Sequence, residues 1–284
     1  MSELVGTISW QEKSNDFPAS LNTEVSVSPL AAGLEADVFQ LDTKDAQYVL
    51  KVWNRSSKPD LSIQYKFLDS LFNLGAAVSR PYGWGIDKNN NGVLLTSYDG
   101  MPIRKVSSSK LNNFAKMLVD IHKLELEKTD FSTIPKCDFI TYFYPRIDEH
   151  LDIKEVLVPL VEMSNMKNSS PIHGDYNLGN IVEYNNKFTI IDWTNIQLGD
   201  PRYDIAWSII LMWIYVSERN SNLYRSAFIS AGNYSAEELE VFEAIACLRW
   251  VLLNRLFSLP KRTNTKATIK SIIGKNKFLQ DGLF

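Results

Sequence analysis

The stretch PIHGDYNLGNIVEYNNKFTIIDW, residues 171–193, decides how the rest of the chain is read. It holds two aspartates, Asp175 and Asp192, with Asn180 between them, in otherwise apolar, strand-like surroundings. Asp175 and Asn180 fall in a loop. IVEY and FTII flank the turn NNK and read as the two strands of a hairpin. Such a hairpin returns Asn180 and Asp192 to the same end, where one amide oxygen and one carboxylate converge. That donor pair suits Mg2+, which takes few protein oxygens and fills its octahedron with phosphate oxygens and water. Asp175, just upstream, is placed to receive or orient the proton of a hydroxyl. Asp and Asn also favour ordinary turns. Turn preference does not account for a second feature, a lysine inside an apolar strand.

That lysine is Lys51, in QYVLKVW (47–53). A lysine so placed is costly without an anionic partner. Upstream, AAGLEAD (31–37), with Gly33, reads as a turn between two strands. Together they match a roof over nucleotide phosphates with a lysine reaching in.

Working outward, the first hundred residues are strand-rich. EVSVSPL (24–30), DVFQLD (37–42) and QYVLKVW form an antiparallel meander, and RPYGWGID (80–87) and GVLLTSYDG (92–100) add two strands, about five in all. Between them PDLSIQYKFLDSLFNLG (59–75) reads as a helix, opened by Pro59 and closed by Gly75. After Gly100 the pattern turns helical. SKLNNFAKMLVDIHKLEL (109–126) places Leu111, Phe114, Leu118 and Ile121 on one stripe. Further helices are expected at 201–217, about 235–258 and 265–274. Strands in front and helices behind imply an α+β chain of two lobes, 1–98 and 99–284.

Composition narrows the function. Hydrophobic residues make up 45%, the formal net charge is −3 and the pI is about 5.7, which excludes a broad basic face for nucleic acid. The last 24 residues carry six Lys/Arg against one acid, read as the solvated face of a C-terminal helix. Cys137 and Cys247 have neither metal-ligand spacing nor a disulfide framework. The polar N-terminus lacks a signal-peptide core, and IAWSIILMWIYV (205–216), at 12 residues, is too short to span a bilayer. The expected setting is the cytoplasm, with no membrane and no nucleic-acid partner.

HGDYNLGN followed by IIDW is similar to the HGDxxxxN…IDW signature of the aminoglycoside phosphotransferase and choline kinase families. The resemblance extends over nearly the whole chain, through NLGAAVSRP, LLTSYDGMPI, FAKMLVDIHKL and GDPRYDIAW. It implies a two-lobed protein-kinase-like fold with a catalytic hairpin in a helical second lobe. It implies an ATP- or GTP-dependent kinase acting on a hydroxyl of a small acceptor. Asp175 would be the catalytic base or orienting aspartate, Asn180 and Asp192 the Mg2+ ligands, and Lys51 the partner of the α/β-phosphates. Gly33 would lie in the phosphate roof, and backbone groups at Thr96, Ser97 and Tyr98 would hold the adenine. His173 and Asp204 would support the catalytic loop, and Asp200, before Pro201, is the expected helix N-cap. HRD, DFG and APE motifs are absent, which argues against a protein kinase.

One position departs from that pattern. The family's usual glutamate partner for the strand lysine falls at Gln64, and no glutamate occurs between Lys51 and Gly100. Gln64 accepts from an ammonium without charge assistance, a weaker hold. The alternative reading is therefore a nucleotide-binding regulatory module of the pseudokinase kind. The acceptor stays open among aminoglycosides, macrolides, choline-like compounds, homoserine, methylthioribose and sugar amines. Asp148, Glu149, Glu218, Glu237, Glu238 and Glu243 would serve a polycationic acceptor. Trp207, Trp213, Tyr215 and Trp250 would serve a less polar one. Each of these has ordinary surface or core packing as its simpler explanation.

Overall fold

The computed structural model describes residues 3–22, 25–30, 35–55, 57–124, 134–257, 259–280 and 282. Glu24, Gly33 with the rest of AAGL (31–34), Glu125, Leu126 and Ser258, all named in the expectations above, lie outside the described residues. In chain order the first elements are α1 (Glu3–Gly6), β1 (Ser9–Lys13), β2 (Ser26–Pro29), β3 (Asp37–Asp42), β4 (Gln47–Trp53) and α2 (Leu61–Asn73). Next come β5 (Pro81–Ile86), β6 (Gly92–Ser97), β7 (Met101–Pro102), α3 (Ser108–His122), α4 (Phe139–Phe143) and α5 (Leu151–Met163). The chain closes with β8 (Ser170–Ile172), β9 (Ile181–Tyr184), β10 (Lys187–Ile190), β11 (Gln197–Gly199), α6 (Pro201–Tyr215), α7 (Glu218–Gly232), α8 (Ala236–Leu256) and α9 (Thr265–Lys275).

Two compact units result. The first holds Met1–Pro102 and Ile181–Thr194; the second holds Ile103–Lys128, Ile134–Asn180 and Asn195–Phe284. In the first unit, six described strands form one antiparallel sheet in the order β1-β5-β6-β4-β3-β2. The strand beyond the expected five is β1, SWQEK, which pairs with β5. Leu41, Tyr48, Leu50, Val52, Val93 and Leu95 bury one face of the sheet with Val5, Ile8 and Leu21. Side chains alternate along a strand, so Lys51 points to the opposite face. β4 is paired on both sides, to β3 and β6, so Lys51 is not an edge-strand lysine. The helix α2 starts at Asp60, whose side chain accepts from the Ile63 N–H, and packs on β5 and β6.

The β9–β10 hairpin belongs to this unit too. β9 and β10 pair with Ile181 opposite Ile190 and Tyr184 opposite Lys187. The two turn residues, Asn185 (φ 49) and Asn186 (φ 61), are both left-handed, the geometry of a tight hairpin turn that asparagine tolerates. β9 also pairs with β7. Gly100 (φ 107) lies so close to β9 that a Cβ there would meet the Glu183 carbonyl oxygen at 2.1 Å, so only glycine fits.

The second unit is helical. Its core joins Phe143, Tyr144, Leu157, Tyr203, Trp207, Ile210, Phe242, Ile245, Trp250 and Ile269, drawn from α4, α5, α6, α8 and α9. Asp200 caps α6 through the Arg202 N–H, with Pro201 in the first turn where no N–H is needed. Three of the six cations of the basic tail are spent on this unit. Lys275 pairs with Glu218 at 2.5 Å, Lys277 with Glu240 at 3.0 Å, and Arg262 donates to the Tyr215 and Val216 carbonyls. No helix among the described residues is long and apolar enough to cross a membrane.

Candidate functional site

In the second unit the chain runs from β8 into the loop that carries His173, Asp175 and Asn180. Asp204, on the first turn of α6 and fully buried, lies beneath it. Its Oδ2 accepts the His173 N–H at 2.8 Å and its Oδ1 the Gly174 N–H at 2.9 Å. His122 Nε2, on α3, lies 3.0 Å from Oδ2 and donates to it, since a carboxylate can only accept. Burial pushes the Asp204 carboxyl upward. The His122 hydrogen bond, the His122 and His173 rings and the His173 N–H outweigh it and hold the group below the usual carboxylate range.

The loop is fastened at other points. His173 is fully buried, and its Nδ1 accepts the Asp175 N–H at 3.2 Å. Gly174 (φ 76) leaves no room for a Cβ, which would meet Asn195 Cβ at 2.8 Å. Its carbonyl accepts from Arg249 Nη1 at 2.9 Å. Tyr176 is buried and donates its hydroxyl to the Phe114 carbonyl.

The Asp175 carboxylate sits half-buried on this loop. Its Oδ1 accepts from Trp207 Nε1 at 2.8 Å, and its Oδ2 lies 3.4 Å from Asn180 Nδ2. Asn180 Nδ2 also donates to the Asp175 carbonyl at 2.9 Å. Both amide hydrogens thus point toward Asp175, and the amide oxygen is the end of Asn180 able to bind a cation.

Lys51 and Asp192 belong to the first unit and lie together. Lys51 Nζ is 2.5 Å from Asp192 Oδ1, donates to Thr194 Oγ1 at 3.2 Å, and lies 4.8 Å from the Trp53 ring centre. Thr194 in turn donates to Asp192 Oδ1 at 2.7 Å. Asp192 itself is left-handed (φ 64) and exposed. Trp193, next to it, is buried against Phe67 of α2 and donates to the Ile190 carbonyl, which anchors this end of the hairpin.

Gln64 is buried in α2, and its Oε1 has no hydrogen-bond partner among the described residues. Lys51 is therefore held here by Asp192 and Thr194. Thr96 and Ser97 close β6, and Tyr98 follows. The Ser97 N–H already donates to the Arg80 carbonyl and the Tyr98 N–H to the Gln47 carbonyl, while the Ser97 hydroxyl donates to Asp99.

The acidic residues considered for a cationic acceptor are mostly committed elsewhere. Asp148 pairs with Lys154, Glu149 with Arg146, Glu218 with Lys275 and Glu243 with Arg225. Glu238 closes a capping box with Ser235 at the start of α8. Four residues of the site went unassigned in the sequence: Thr194, His122, Arg249 and the indole N–H of Trp207. Thr194 and His122 stand inside or beside recognised motifs. Arg249 carries no local signal, because it reaches the loop from a helix 75 residues away.

Residues 26–242 match the model of the phosphotransferase enzyme family. Among curated proteins none matches the chain. Solved structures do. An ethanolamine kinase from Plasmodium vivax is 14% identical with a TM-score of 0.64, covering 92% of this chain and 83% of its own. A choline kinase from Streptococcus pneumoniae is 15% identical with a TM-score of 0.61, covering 90% and 94%. An aminoglycoside phosphotransferase, in a ternary complex with AMP-PNP and hygromycin B, is 16% identical with a TM-score of 0.63, covering 88% and 94%. At these identities the likeness is one of fold.

Proposed function

Because this chain belongs to the phosphotransferase enzyme family, we infer that it transfers the γ-phosphate of ATP to a hydroxyl of a small-molecule acceptor. The observation that carries this reading is the Asp175 carboxylate. It is held on one oxygen by Trp207 and faced on the other by Asn180, on a loop pinned from below by Asp204. Phosphoryl transfer depends on positioning and charge compensation more than on covalent chemistry by the protein. A carboxylate fixed in this way orients the incoming hydroxyl and accepts its proton.

Lys51 serves the α/β-phosphates, and Asp192 and Thr194 keep its ammonium in place until the nucleotide arrives. Gly33 and the 31–37 turn are assigned to the phosphate roof, and the Thr96–Tyr98 segment to the purine. Asn180 and Asp192 are assigned to Mg2+. The donor set fits: one amide oxygen, left to ligate by the orientation of its NH2 group, and one exposed carboxylate, both hard oxygen ligands. Bound there, Mg2+ offsets phosphate charge. His173 and Asp204 are read as supports of the loop. ATP is favoured as donor by the likeness to a fold solved with AMP-PNP. The free cysteines Cys137 and Cys247 suit a reducing cytoplasm.

The second reading, a nucleotide-binding regulatory module, is favoured by one observation: Gln64 stands in place of an acid and leaves its oxygen unpartnered. ADP or GDP release from Mg-ATP or Mg-GTP separates the two. The acceptor panel spans choline, ethanolamine, homoserine, methylthioribose, aminoglycosides and macrolides. Acceptor-dependent release that disappears in Asp175→Ala is the kinase outcome. Nucleotide binding by thermal shift with no turnover on any acceptor is the module outcome, and no binding of either nucleotide overturns both.

A further inference from the structure

We propose that Trp207 and Arg249 are positioning residues that clamp the Asp175 carboxylate in one orientation. This rests on the phosphotransfer reading for its catalytic consequence and on the second unit alone for its geometry.

Trp207 follows Asp204 by three residues on α6, so the two side chains share a helix face. That face serves the loop twice. Asp204 takes the backbone N–H groups of His173 and Gly174, and Trp207 takes the side chain of Asp175. An indole N–H can only donate. It is the one polar atom of the Trp207 side chain, and it is spent on Asp175 Oδ1 at 2.8 Å. The residue is 4% exposed, so the ring cannot swing out to solvent.

Arg249 covers the indole ring. Its guanidinium carbon lies 4.1 Å from the centre of the Trp207 ring and 4.5 Å from that of Phe143. Nη1 donates to the Gly174 carbonyl at 2.9 Å and to the Tyr203 hydroxyl at 3.0 Å. Arg249 is buried at 8% exposure, and among the described residues it makes no ion pair. A cation taken out of water with no carboxylate partner is expensive. Aromatic faces and two hydrogen bonds offset part of that cost. Plain core packing does not call for a charged residue here, where a leucine would fill the space without the penalty. The guanidinium instead grips both the indole and the peptide that precedes Asp175. A cation on the ring face also draws electron density from the indole and strengthens its N–H as a donor. The carboxylate is thereby denied rotation about χ2, and the oxygen opposite Trp207 keeps its aim.

The test has two arms. The first reads geometry without catalysis. Indole N–H signals of the seven tryptophans are recorded on 15N-labelled protein, and that of Trp207 is the one missing in Trp207→Phe. In Asp175→Ala this signal shifts upfield by more than the other six, because its carboxylate acceptor is gone. The second arm reads ADP release from Mg-ATP with water alone as acceptor. Trp207→Phe, which keeps a ring for Arg249 to cover, lowers kcat roughly tenfold and leaves the KM for ATP within about twofold, the scale of one lost hydrogen bond to a charged group. Arg249→Lys, which keeps the charge and loses the planar fork, lowers kcat by less than Arg249→Met. A Trp207 signal that stays in place in Asp175→Ala overturns the proposal whatever the activity. So does an unchanged kcat in Trp207→Phe. If wild-type protein releases no ADP with water or with any acceptor of the panel, the phosphotransfer reading fails, and the spectroscopic arm still decides the clamp. If Trp207→Phe melts far below wild type, the signal shift in Asp175→Ala, with indole and guanidinium intact, decides between the clamp and plain packing.

Discussion

Lys51 Nζ lies 2.5 Å from Asp192 Oδ1, and Thr194 bridges the pair by accepting from the ammonium and donating to the same carboxylate oxygen. Lysine at this point of β4 emerges on the face opposite the buried cluster, in a strand paired on both sides. It has an anionic partner, which answers the cost of placing it in an apolar strand. Lys51 and Thr194 thus meet on a single oxygen of Asp192.

Removal of this ammonium removes one charge-assisted contact to the nucleotide phosphates. Lys51→Ala is expected to raise the KM for ATP by about tenfold and to lower turnover as well. Its melting temperature stays close to wild type, because the Asp192 side chain is 39% exposed and is rehydrated when its partner goes. Steady-state kinetics across ATP concentrations checks this. Unchanged ATP kinetics would reduce Lys51 to a structural partner of Asp192.

Asp175→Ala separates binding from chemistry. Nucleotide contacts are assigned to other residues, so ATP binding measured by calorimetry stays within about twofold. Turnover falls by about 10²-fold or more, the scale of lost acid–base and orienting help. Full activity in the variant would exclude Asp175 from the chemistry.

Much of this site is readable because polar residues stand where apolar ones are expected. The hairpin is legible from IVEY and FTII around a paired asparagine turn, and the loop before it from His173, Asp175 and Asn180. The strand β1 is not, since SWQEK is polar and only every second residue is even partly buried. Helix α7 hides in the same way: ERNSNLYRSAFISAG buries only Ser221, Tyr224, Ala227 and Phe228. Pro159 breaks the helical pattern of α5, though the helix runs through it. Arg249 could not be read at all. Its partners are Gly174 and Tyr203, 75 and 46 residues away, and long-range packing alone brings them together.

Gln64 offers a stability prediction. Its Oε1 is buried without a partner among the described residues. An unsatisfied buried acceptor costs about 1–3 kcal/mol. Gln64→Met keeps the volume and removes the unmet group. The variant is expected to melt higher by roughly 2 °C or more, with the KM for ATP unchanged because Lys51 is held by Asp192 and Thr194. Differential scanning calorimetry and ATP kinetics read the two parts. A rise in KM would mean that Gln64 supports Lys51 after all.

Asp204 ties stability to pH. Its folded carboxyl is held below the ordinary carboxylate range, with burial opposed by the His122 hydrogen bond and the His173 contacts. A depressed folded value means that the unfolded chain binds the proton first. The stabilisation is therefore complete above the ordinary value of about 4 and is lost as pH falls toward the lower folded value. Asp204→Asn removes one of the two oxygens that receive His173, Gly174 and His122. It sets an NH2 group against a donor instead, at a cost of about 3 kcal/mol near neutral pH. The gap between wild type and variant should narrow as both are taken from pH 7 to pH 3, since protonation cancels the advantage of the carboxylate. Urea denaturation at stepped pH measures it. A gap that holds its size down to pH 3 would show that Asp204 gains nothing from its charge. With the brace weakened, the loop that aims Asp175 should loosen as well, and kcat should fall in Asp204→Asn at a pH where the protein is still folded.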